Sequence, residues 1–140
     1  MYILDTNVLT ALHLGNPKII NAVQQLGNAT IAITVITKVE MLRGRIEFLL
    51  KADQGDSLLR AQRLLLETEH QLDKIRIIPF DNNAIAQFEK LAAMPSMRKA
   101  GRADLLIASI TLSQNATLVT RNVKDFQRFL QLKLVNWFDK

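Results

Sequence analysis

Short apolar runs of strand character alternate with longer segments whose apolar residues recur at helical spacing, along the whole 140-residue chain. No other feature constrains the fold as much. Strands separated by helices pair most readily as a parallel sheet with helices over its faces. Tyr2-Ile3-Leu4, Thr30-Ile31-Ala32-Ile33, Ile75-Arg76-Ile77-Ile78 and Thr117-Leu118-Val119-Thr120 read as strands, and Leu132 to Val135 as a final edge strand. Asn7 to Leu14 reads as a helix stopped by Gly15, and Asn16-Pro17 as a cap and first-turn proline opening a helix through Ile19, Ile20, Val23 and Leu26. Val35 to Leu50 or Lys51, the turn Asp53-Gln54-Gly55-Asp56 and a second Leu-rich segment to Leu72 suggest a helical hairpin. Asp81 or Asn82 is placed to cap a helix through Ala84, Ile85, Phe88 and Leu91, and a basic loop follows from Pro95 to Gly101. Leu105, Leu106, Ile107, Ile110 and Leu112 make a helix apolar on more than one side, which should be central, and Val123 to Leu130 reads as a short helix. The expectation is an α/β, three-layer fold with a central, mostly parallel sheet of four to five short strands flanked by helices, in a single domain over residues 1–140.

Open parallel sheets bind ligands beyond the carboxyl ends of their strands, so the polar residues there matter most. Asp5 ends the first strand, and Thr120, Asn122 and Asp125 follow the fourth. Glu40 lies about a turn into the helix after the second strand, and Asp104 near the start of the buried helix. Four carboxylates from distant parts of the chain could thus face one crevice. Like charges about 4–5 Å apart repel by about 3–4 kcal/mol per pair at an effective dielectric near 20. Such a cluster needs a proton or a cation.

The chain has no cysteine, which excludes disulfides, thiolate ligands and cysteine nucleophiles, and His13 and His70 lie far from these motifs. An oxygen-only ligand set suits Mg²⁺ or Mn²⁺ rather than zinc. A hydrated Mg²⁺ held by carboxylates activates water and stabilises charge on a phosphodiester under in-line attack. The net charge of +5 favours a polyanionic partner, and Arg98, Lys99, Arg102, Arg121 and Lys124 border the expected crevice, where they could hold RNA phosphates. No apolar stretch approaches the roughly 20 residues that span a bilayer, and no basic leader precedes the first strand, so the expected compartment is the cytoplasm, with no membrane partner.

The stretches MYILDTNVLT, TVITKVEMLRGRIE, GRADLLIASITL and ATLVTRNVKDF match, in order, the motifs of PIN-domain ribonucleases, and closely resemble the VapC toxins of prokaryotic toxin–antitoxin pairs. The similarity runs from the first strand to about Trp137. It implies a PIN-like fold and a metal-dependent endoribonuclease. It also implies that Asp5 and Asp104 are central metal ligands and that Glu40 fills the second acidic position, in Glu40-Met41-Leu42-Arg43-Gly44. At the fourth position many members carry an acid where this chain has Asn122; Asp125 is the residue assigned to that role, with Thr6, Asn7, Thr120 and Asn122 as polar support. The resemblance further implies homodimers and a VapB-like antitoxin partner.

Each acid also has a structural reading. Asp5 could cap the first helix, Glu40 could complete a capping box with Thr37, and Asp104 and Asp125 could complement helix dipoles. Asp81 reads as a cap, and Trp137 as a core or dimer anchor. Asn7 stands where a phosphatase with a D-x-D-x-T start has its second Asp, and an amide cannot transfer protons as that acid does. The remaining alternative is a catalytically inactive PIN-like module used for RNA or protein binding, encouraged by Asn122.

Overall fold

A computed structural model of the chain describes residues 1–139. In chain order the elements are β1 (Tyr2–Leu4), α1 (Thr6–His13), α2 (Pro17–Gln25), β2 (Ile31–Thr34), α3 (Val35–Lys51), α4 (Gly55–Leu72) and β3 (Arg76–Ile78). There follow α5 (Asn82–Ala92), a 3-10 turn (Pro95–Met97), α6 (Arg102–Ser113), β4 (Thr117–Val119), α7 (Val123–Phe126), β5 (Lys133–Val135) and a last 3-10 turn (Trp137–Asp139). The five strands form one sheet in the order β3-β2-β1-β4-β5. Every pairing is parallel, so the expected "mostly parallel" sheet is wholly so, with β3 and β5 at its edges.

The strand order explains where a site can form. From central β1 the chain moves to β2 and then β3 on one side, and returns to place β4 on the other. The connections leaving β1 and β4 therefore diverge and open a crevice at their carboxyl ends. Alternate strand residues enter the two cores: Ile3, Ala32 and Leu118 pack with α5, α6 and α7 side chains, whereas Leu4, Ile33 and Val119 pack with α1, α2 and α3. The result is the expected three-layer arrangement. The buried hydroxyls of Ser109 and Thr111 on α6 donate to the carbonyls of Leu105 and Ile107, at 2.7 and 2.8 Å, which lets polar residues sit inside this central helix without loss.

Three local expectations change. Thr34, not Thr37, caps α3: its hydroxyl accepts from the Thr37 N–H, so Thr37 lies within the first turn and the capping box with Glu40 is absent. Val35 and Ile36 carry the chain straight from strand into helix. The helix expected to reach Leu130 stops at Phe126, because Phe126 and Phe129 must both turn into the core and the chain coils through successive tight turns to reach β5. The basic loop contains the 3-10 turn at Pro95–Met97, which tucks Met97 inside. Asp81 does cap α5, accepting from the Ala84 N–H.

Trp137 is a core residue, 2% exposed and stacked at a tilt on Tyr2 with ring centroids 5.8 Å apart. Trp137→Ala should cost about 3–5 kcal/mol of stability, read as a lower urea midpoint with an unchanged slope. Among the described residues, no helix is long and apolar enough to cross a membrane.

Candidate active site

Asp5 is the fixed point of the crevice. It is 7% exposed and caps α1, its Oδ1 accepting the Asn7 N–H at 2.8 Å. Its Oδ2 accepts the Thr120 hydroxyl at 2.6 Å, and the oxygen of that hydroxyl accepts the Asn122 N–H at 2.9 Å. The amide of Asn122 thus orients the Thr120 hydroxyl, whose single proton is left to point at Asp5. Each Asp5 oxygen keeps a further lone pair for a ligand. The capping and ligand readings of Asp5 are compatible.

Glu40 reaches the same crevice from α3. Its Oε1 accepts the Thr6 hydroxyl at 2.7 Å, and Thr6 in turn contacts the Thr37 hydroxyl at 3.2 Å. With the Thr6 proton given to the carboxylate, Thr37 supplies the proton of the second contact. The removed capping box therefore leaves Thr37 with a different task, bracing the residue that holds Glu40.

Asp104 arrives from the first turn of α6, whose N-terminal dipole favours a negative charge. The opposite wins. Burial and the negative charges of Asp125, Asp5 and Glu40 push the Asp104 carboxyl above its ordinary value, against a smaller opposing pull from Arg128. All four sequence-assigned acids therefore share one electrostatic neighbourhood. Asp5, Thr6, Asn7, Glu40, Asp104 and Asn122 line a common cleft of about 160 Å³, floored by Ile107 and Phe126. Asp125 stands behind its wall, exposed, with Oδ2 accepting from the Asn122 side-chain amide at 2.7 Å. Asn122 thus occupies the cleft and Asp125 supports it.

The donor set fits a hydrated divalent cation. Among the described residues no three acidic or histidine side chains form a ready-made metal cage. Mg²⁺ commonly takes one or two carboxylates and keeps several waters. Clustered negative charge around Asp104 that Arg128 offsets only in part, two free Asp5 lone pairs and room for water match that demand, whereas a zinc cage is not on offer.

The basic residues are less concentrated than expected. None of Arg98, Lys99, Arg102, Arg121 and Lys124 lines the acidic cleft. Arg102 lies over the Phe88 ring at 5.0 Å, toward α5, and Arg121 over Phe138 at 4.1 Å, in a neighbouring groove. Arg128 was missed: its Nε donates to the Asp125 carbonyl at 3.1 Å, and its charge acts on Asp104. Its place in a helix expected to continue gave no sign of this.

The PIN domain family model matches residues 2–129. The chain belongs to the PIN-domain family. The PIN domain is 32% identical over 143 residues to Ribonuclease VapC1 of Haemophilus influenzae (strain R2866), covering 98% of both chains. It is 33% identical over 141 residues to Ribonuclease VapC2 of Rickettsia felis, again covering 98% of both. Among solved structures, VapBC2 from Rickettsia felis bound to a DNA fragment from its promoter superposes with a TM-score of 0.75 at 31% identity, over 97% of this chain and 98% of that one. VapBC-1 from nontypeable Haemophilus influenzae gives 0.76 at 26% identity, over 98% of each.

Proposed function

We propose that this PIN domain is an endoribonuclease acting as the toxin of a toxin–antitoxin pair, cleaving RNA phosphodiester bonds with Mg²⁺, or Mn²⁺ in its place. One observation carries the reading: Asp5, Glu40 and Asp104 meet in one cleft at the switch point of the sheet, in a chain whose full-length relatives are ribonucleases by name. Asp5 and Asp104 would hold the cation, which when bound supplies an activated water and charge stabilisation on the phosphodiester. The chain's own side chains do the rest. Asn7 and Thr120 fix the Asp5 carboxylate, and Thr6 fixes Glu40 through Oε1, leaving Oε2 to accept a proton from an attacking water. Asp125 holds the Asn122 amide at the cleft and adds negative charge near Asp104. Arg98, Lys99, Arg102, Arg121 and Lys124 supply the basic surface for the RNA backbone, and the products carry a 5′-phosphate and a 3′-hydroxyl.

The structures it resembles are VapBC complexes, which supports a VapB-like antitoxin partner. Exposed apolar side chains on the α3–α4 hairpin, among them Ile46, Phe48, Leu50, Leu59 and Leu66, offer surface for protein contacts, including a homodimer. The proposed compartment is the cytoplasm, where RNA and antitoxin are both present. An inactive binding module is the weaker reading, because the Asn122 that encourages it has the Asp125 carboxylate bonded to it.

Incubating the purified protein with cellular RNA in Mg²⁺ or Mn²⁺ tests the reaction; cleavage should yield 5′-phosphate ends, and intact RNA would remove the nuclease reading. Expression without an antitoxin should arrest growth, and co-expression should relieve it. Unaffected growth, with cleavage intact in vitro, would remove the toxin role alone. Thr120→Val deletes the hydroxyl that orients Asp5 and is expected to weaken Mn²⁺ affinity about 10–100-fold, measured by calorimetric titration.

A further inference from the structure

A second groove, of about 680 Å³, begins at Asn7, the residue it shares with the acidic cleft, and runs past Thr10 and Asn16 to Arg121 and Phe138. Its volume is in the range of ligand sites, and its side chains offer amides and a hydroxyl. The Arg121 guanidinium lies 4.1 Å from the centre of the Phe138 ring, and among the described residues the one ion pair is Arg43–Glu47, so no side-chain carboxylate of the described residues pairs with Arg121. Phe138 is itself held. It is 8% exposed, its N–H donates to the Asn136 side chain at 2.9 Å, and its carbonyl accepts from Lys18 Nζ at 2.9 Å. A charged guanidinium on a fixed aromatic face is pre-oriented, with its donor edge open for bidentate bonding to a phosphate.

We infer that this groove is the channel for the RNA strand flanking the scissile phosphate, with Arg121 gripping a backbone phosphate in it and Phe138 the positioning residue that holds the guanidinium. The inference rests on the proposed nuclease reading of the adjoining cleft and adds the path of the substrate. A strand bound for cleavage must continue away from the scissile bond, and the groove adjoins the cleft at Asn7. The Asn7 amide and the Asn16 Nδ2 can hydrogen-bond to ribose hydroxyls or base edges along it, while the Thr10 hydroxyl, donating to the Thr6 carbonyl, can only accept. An acidic peptide would also meet Arg121, but it would have no reason to follow a groove that leads out of the acidic cleft.

The test measures binding and cleavage of a labelled single-stranded RNA of mixed sequence by the full chain across a salt series. Arg121→Ala should raise KM and Kd about tenfold with kcat within about twofold, and flatten the log Kd against log salt slope by about 0.7, the value for one phosphate on a single strand. Phe138→Leu keeps the charge, so the slope should stay while Kd rises about threefold, and Phe138→Tyr should restore wild-type binding. Circular dichroism excludes a folding defect as the cause. Removing nucleotides from one end of the RNA should weaken wild-type binding and leave Arg121→Ala unaffected. Unchanged Kd and salt slope in Arg121→Ala, or an equal shortening penalty in both proteins, would overturn the inference while leaving cleavage, and thus the nuclease reading, intact. Arg121-dependent RNA binding without any cleavage would support the channel and count against the nuclease.

Discussion

Asp5→Asn is expected to abolish RNA cleavage, by at least about 10³-fold in kcat/KM, while the protein stays folded. The size follows from the loss of several kcal/mol of charge stabilisation when the proposed central anionic ligand becomes neutral. The fold survives because an Asn at this position keeps one oxygen for the Asn7 N–H, and its amide can donate to the Thr120 hydroxyl oxygen after that hydroxyl rotates. Thermal unfolding with added Mn²⁺ separates the two effects. Wild type should gain about 2.7 kcal/mol at a hundredfold excess over its Kd, and Asp5→Asn should gain almost nothing in the same titration. A variant that cleaves as well as wild type would remove Asp5 from the reaction.

Asp104→Asn is the second large effect, and it should move activity and stability in opposite directions. Activity should fall about as far as for Asp5→Asn, because the other proposed cation ligand is lost. Stability of the metal-free protein should rise. Burial and the charges of Asp125, Asp5 and Glu40 hold the Asp104 carboxyl above its ordinary 3.8, so at neutral pH its ionised form opposes folding. The carboxyl is only partly buried and solvent screens much of that repulsion, so the expected gain in Tm is small, about 2–4 °C. The sign with pH follows from the raised value. Asp104 contributes its full share of stability below 3.8 and loses it as the pH rises through the raised folded value. The variant's advantage should therefore shrink as the pH is lowered toward 3.8, because wild type then protonates and sheds the repulsion. An advantage that grows on acidification, or a variant less stable than wild type at neutral pH, would mean that Asp104 is not in the charge cluster described.

Much of this was legible because it is local. Apolar runs such as Tyr2-Ile3-Leu4 and Leu118-Val119 announce strands, and the polar residue that ends each run is placed by the fold at the crevice. Asp5 was found that way, Glu40 and Asp104 by their places early in the helices α3 and α6, and the three lie in one cleft. The errors arose where local pattern is ambiguous. Val35 and Ile36 suit strand and helix alike, so a capping box of Thr37 with Glu40 stood open as an alternative, whereas the cap is Thr34. Phe126, Phe129 and Leu130 have helical spacing, yet Leu130 is 92% exposed and the helix has already ended. Contacts between distant residues left no signal at all: Arg121 on Phe138, Thr6 on Glu40 and Arg128 near Asp104 are set by how helices meet over the sheet. Where each basic residue points, such as Arg102 over Phe88 and Arg121 over Phe138, was beyond any one-dimensional pattern.

The central claim is that the carboxylate cleft cuts RNA only with a divalent cation in it. It is tested most directly by following RNA cleavage by the wild-type protein after removal of divalent ions with EDTA, then after titration of Mn²⁺ in excess of the chelator. The account predicts no cleavage in EDTA, and activity that returns along the same Mn²⁺ concentration curve as the rise in Tm. Cleavage that persists undiminished in EDTA, or Mn²⁺ binding at the cleft with no cleavage of any RNA, would contradict it.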